Sequence, residues 1–155
     1  QDNERRATGV HTLARTLIRA PTLAAAVLGL RKCLREDFGI DEVFVGVAAT
    51  HLKRQDIEGL TRLDPNGPLV KGLDNFFRTR LLECGPLDET RARLLFPHAA
   101  AVPRSAAIVP LDREKSLGLL VLASSDAERF QPKQGRLFLE MTAELVTAAL
   151  RAKLD

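Results

Sequence analysis

Apolar residues along the chain follow two kinds of pattern: three-to-four spacing at both ends and short continuous runs between them. The first marks amphipathic helices and the second buried strands. Val10, Leu13 and Leu17 share one face, with arginines on the others, predicting a helix over 1–20 that Pro21 ends or kinks. Leu23, Val27, Leu30 and Leu34 repeat the pattern in a second helix, from a capping Thr22 to about Asp37, with Gly39 as its stop. Val43–Ala49 is apolar at both parities, which predicts a strand covered on both faces. The pattern then fades. Ile57, Leu60 and Leu63 suit either a strand near 59–63 or a helical turn. Pro65, Asn66, Gly67 and Pro68 form a turn.

Downstream the elements shorten. Leu69–Arg80 reads as an amphipathic helix, Leu81–Cys84 as a strand ended by Gly85 and Pro86, and Asp88 as the cap of a helix through Leu95. Ser105–Leu111 and Leu117–Ala123 are strands joined by a charged hairpin turn, Asp112–Lys115. After Phe130 and Pro132, a long helix from Gly135 closes the chain. It carries two adjoining apolar stripes: Phe138, Met141, Leu145, Ala148 and Ala152, and beside them Leu139, Ala143, Val146 and Leu150. That is wider than one sheet-facing stripe requires, so the helix is expected to meet a second surface, most simply another copy of the chain. The order predicts an α+β sandwich. Terminal helices lie on one face of an antiparallel sheet and connecting helices on the other, with room for a small molecule between residues 50 and 105.

Composition narrows the classes. A chain of 155 residues with 45% apolar and 28% charged content can bury a full core without metals or disulfides. Residues 1–40 hold seven basic and four acidic side chains, and the remainder balances, so the net charge of +3 sits on the first helices. Arg5, Arg6, Arg15 and Arg19 are a thin stripe compared with that of a nucleic-acid binder, and direct binding of nucleic acid is not expected. Trp and Tyr are absent, and the seven Phe are scattered. Cys33 and Cys84 form no regular framework, which suits a reducing, cytoplasmic setting, and no run is long enough to span a bilayer.

The closing stretch GLLVLASSDAERFQPKQGRLFLEMTAELVTAAL resembles the last strand and helix of GAF domains, a family of small-molecule-sensing and dimerising modules. Upstream, LLECGPLDETRARLLFP (Leu81–Pro97) and SAAIVPL (Ser105–Leu111) narrow the likeness to a bacterial GAF-like family, domain of unknown function 484. The resemblance spans Pro21 to Leu154, leaving 1–20 as a helical extension for signalling or dimerisation; Ala123 stands where such domains often carry glycine. It implies a non-enzymatic regulatory domain that pairs through its terminal helices and encloses a ligand. Because relatives are often encoded beside a tyrosine recombinase, it also leaves open an interaction module for a chromosome-associated partner.

Candidate residues follow from these readings. Phe76 and Phe77 are expected to wall the cavity, with Arg78 or Arg80 meeting an anionic group and Cys84 and His98 nearby. Val10, Leu13 and Leu17 are expected to pair with the Phe138–Ala152 stripe of a second copy. Cys84 is the one candidate nucleophile, and a redox enzyme built on it is the remaining alternative. His11, His51 and His98 share no ligand spacing, so no metal is expected; no glycine-rich phosphate loop is present, and the identity of any cofactor is left open.

Overall fold

The computed structural model describes residues 2–52, 56–131 and 135–154, with side chains from Thr8 onward. Gln1, Pro132 and the side chains of Arg5 and Arg6 lie outside the described residues. Helix α1 (Asp2–Arg19) precedes α2 (Leu23–Phe38). Thr22 caps α2 by accepting the Ala25 N–H at 3.1 Å, and Gly39 ends it in the left-handed conformation, φ 64°. There follow β1 (Glu42–Ala48), β2 (Thr61–Leu63), α3 (Pro68–Gly72), α4 (Asp74–Thr79), β3 (Glu83–Pro86), α5 (Glu89–Leu95), β4 (Ser105–Leu111), β5 (Gly118–Ser124) and α6 (Arg136–Lys153).

The five strands form one sheet in the order β2-β1-β5-β4-β3. Alternation along the three central strands makes two cores. Val43, Val45, Val47, Ala107, Val109, Leu120 and Leu122 face a layer of α1, α2 and α6. Phe44, Ala106, Ile108, Leu119 and Val121 face α3, α4 and α5. Both faces are covered, which is why these strands read as unbroken apolar runs.

Three expectations are corrected. The sheet is mixed, because β2 runs parallel to β1. A parallel return needs a long crossover, and the described residues between the two strands bury Leu52, Ile57 and Leu60 in the helix-side core. The helix expected over Leu69–Arg80 is two, broken at Leu73, whose ψ of 30° leaves the helical range. Strand β3 lies two residues later than its apolar run suggests. Gly85 and Pro86 pair with Ala106 and Ser105 on the sheet rim, where proline is tolerated.

Gly9 makes room for a neighbouring ring. A side chain there would overlap the Phe38 ring, so its absence lets that ring lie against the helix, 4.8 Å centroid to centroid from Phe138 of α6. Leu13 and Leu17, at 0% and 3% exposure, are enclosed by this packing. They belong to the chain's own core and are not free to meet a second copy, which corrects their assignment to an interface.

Candidate functional site

A cavity of about 230 Å³ opens at the end of the sheet where β1 and β4 finish and β5 begins. Leu63, Val70, Phe76, Phe77 and Pro110 line its apolar part, while Arg80, Asp112, Arg113 and Lys115 surround its mouth. Its floor is thinned by small residues, Ala48, Ala49 and Gly118. Phe76 is buried and meets Phe77 edge-on, with centroids 5.4 Å apart, so α4 presents a rigid aromatic wall.

The mouth is held by contacts from three directions onto the β4–β5 hairpin. Arg80 Nη1 donates to the Arg113 carbonyl at 3.3 Å, from the end of α4. His51 Nε2 donates to the Lys115 carbonyl at 3.2 Å, from the crossover. Arg151 Nε of α6 donates to Asp112 Oδ2 at 2.7 Å. Partial burial pushes the Asp112 carboxyl upward, but the Lys115 N–H and the Arg151 guanidinium outweigh it and hold the group below the usual carboxylate range.

Among the described residues, three that are not glycine have a positive φ: Arg80 at 54°, Asp112 at 52° and Ser116 at 50°. All three line this cavity. Such conformations cost free energy and persist only where surrounding contacts impose them, which happens most often at ligand sites and switches.

The other ligand candidates are dispersed. Arg78 is exposed and bonds Asn75 Oδ1 at 2.8 Å on another face of α4. His98 is exposed in a separate depression beside Arg31 and Arg35. Cys84 lies on the opposite side of the sheet, packed against the helix-side core, and burial raises its thiol pKa against a smaller opposing effect of Arg136. A thiol held in its protonated form is a poor nucleophile. Phe76, Phe77 and Arg80 are therefore brought together, whereas Arg78, Cys84 and His98 are not. Arg113, Lys115, Asp112 and His51 join the site without having been singled out.

Residues 1–152, α1 included, match a family model described as protein of unknown function, DUF484. The chain belongs to the DUF484 family. Among solved structures, this DUF484 chain is similar to the GAF domain from Acinetobacter phosphoenolpyruvate-protein phosphotransferase. The TM-score is 0.65 at 13% identity, covering 94% of this chain and 92% of that one, which establishes a GAF-like α+β fold. No curated protein matches the chain.

A second concavity in the DUF484 chain lies between α1 and α6. Val10, Ala14, Phe138, Met141, Leu145 and Ala148 line it, with Arg136 and Glu144 at its edge. Leu139, Val146 and Leu150 face the core, so the two stripes of α6 do diverge, one inward and one toward this groove. Leu137 and Met141 are 74% and 43% exposed there. Ala152 is exposed beyond its end. No helix among the described residues is long and apolar enough to cross a membrane.

Proposed function

We propose that this chain is a non-catalytic regulatory module that binds a small organic molecule in the cavity at the end of its sheet and pairs with a second copy through α1 and α6. The observation that carries the ligand reading is the convergence of Arg80, Asp112 and Ser116, each in the left-handed region, on one apolar cavity. Arg80 ends α4 as its left-handed cap and Asp112 and Ser116 flank the hairpin turn, yet non-glycine residues take that region uncommonly, and three around one opening support a shape maintained for an occupant. The GAF-like fold agrees with a sensing role, and the protonated Cys84 across the sheet argues against thiol chemistry at the site.

Native mass spectrometry of gently purified protein tests the reading. A co-purifying small molecule is expected, and Ala48→Leu, which fills the floor, is expected to abolish its retention. Retention unchanged in that variant, together with an unchanged fold by circular dichroism, would place the ligand elsewhere and overturn the assignment.

The pairing reading rests on the α1–α6 groove. Its lining is apolar, and Arg136 and Glu144 on its rim let a twofold arrangement set unlike charges opposite one another.

A further inference from the structure

The cavity mouth carries a charge pattern that specifies a class of occupant. Arg80, Arg113 and Lys115 all line it. No carboxylate of a described residue lies within ion-pair distance of any of the three. Arg113 and Lys115 are exposed on the hairpin, and Arg80 is fixed by its bond to the Arg113 carbonyl. Three cations against one carboxylate, Asp112, which attracts Lys115, leave the opening with an excess of positive charge. The acid at that opening, Asp112, is already engaged through Oδ1 by the Lys115 N–H and through Oδ2 by Arg151. Leu63, Val70, Phe77 and Pro110 give the lining its apolar part, and Thr50, His51 and Ser116 are its neutral polar side chains. At about 230 Å³ the space lies below the roughly 300–1,000 Å³ of drug-sized sites, which favours a compact molecule over a nucleotide.

We infer that the cavity selects a small organic monocarboxylate, its apolar body against Phe77, Val70 and Pro110 and its charge between Arg80, Arg113 and Lys115. The inference rests on the cavity being a ligand site and adds the ligand's class. It also assigns a role to Arg151, which touches neither the cavity nor the ligand. By neutralising Asp112, Arg151 keeps a competing negative charge from the mouth. Linkage is reciprocal, so an anion bound there strengthens the hold of Asp112 on Arg151 and fastens the last turn of α6 to the hairpin.

Titrating isotopically labelled protein by NMR with phenylacetate, its neutral amide phenylacetamide and the cation phenethylammonium tests this. Phenylacetate is expected to shift the Ala49, Ser116 and Gly118 amides and to bind at least tenfold tighter than the amide, with the cation weakest. R113E/K115E is expected to erase that preference, so that phenylacetate binds no tighter than the amide. R151Q is expected to weaken phenylacetate about threefold and the amide not at all. Equal affinity for acid and amide would overturn the carboxylate assignment while leaving the cavity a ligand site. No shift with any of the three compounds would overturn both readings. Phenylacetate affinity unchanged in R151Q would overturn the link to α6.

Discussion

Gly118 opens β5 at the point where the sheet is tightest. A Cβ built there would sit 1.9 Å from the Gly46 carbonyl oxygen, a backbone atom that cannot rotate away. Gly118→Ala is therefore expected to destabilise by at least the ~3 kcal/mol at the upper end of core overpacking, measured as a fall in thermal midpoint. Asp41 shows the opposite case, a side chain that is needed. Its Oδ2 accepts the Ser125 N–H at 2.9 Å and the Ser125 and Ser124 hydroxyls at 3.1 and 3.2 Å, tying the start of β1 to the exit of β5. The Ser125 backbone bond is the largest influence holding its carboxyl below the ordinary value. A depressed folded pKa contributes stability that is present above the unfolded value of about 3.9 and lost as pH falls through the folded one. Asp41→Asn is expected to flatten the acid side of the stability curve below pH ~4, followed by circular dichroism. Asp88 and Asp112, also held low, leave part of the slope in place.

At the scale of elements, legibility followed how much one local pattern determines. The strands Ser105–Leu111 and β1 were readable because both faces of each are buried, so every position after the opening Ser105 or Glu42 is non-polar. Thr22 and Gly39 were readable as punctuation because capping is local chemistry. Thr22→Ala is expected to cost ~1 kcal/mol in chemical denaturation, since the Ala25 N–H loses its acceptor. The division of 69–80 was not readable: Gly72 meets the Leu94 side chain of α5 too closely for any Cβ, a tertiary contact that apolar spacing does not record. The site shows the same division. Phe76 and Phe77 were visible as an aromatic pair on a helix, but Arg78 and Arg80, two positions apart, leave α4 in different directions. Arg113 and Lys115 read as solvated turn charges, because a turn's sequence does not say which cavity it overhangs.

For the whole molecule, the wide apolar surface of α6 and its two stripes were legible, and which residues of α1 reach the groove was not. Leu13 and Leu17 carry the same period as Val10, yet they are sealed inside the α1–α2–α6 layer while Val10 reaches the groove. Sedimentation at micromolar concentration is expected to show a dimer, and Met141→Lys, which puts a charge at the exposed centre of the groove, a monomer of unchanged fold. A monomer in the parent chain would refute the pairing. The rims of the sheet limit what else it can recruit. Its outer strands, β2 and β3, are stubs of three and four residues, one of them ending in proline. A visiting peptide would find too short a ladder on either margin to be captured by strand addition, and fibre growth meets the same barrier. Any macromolecule that this fold engages must therefore be gripped by helices or loops.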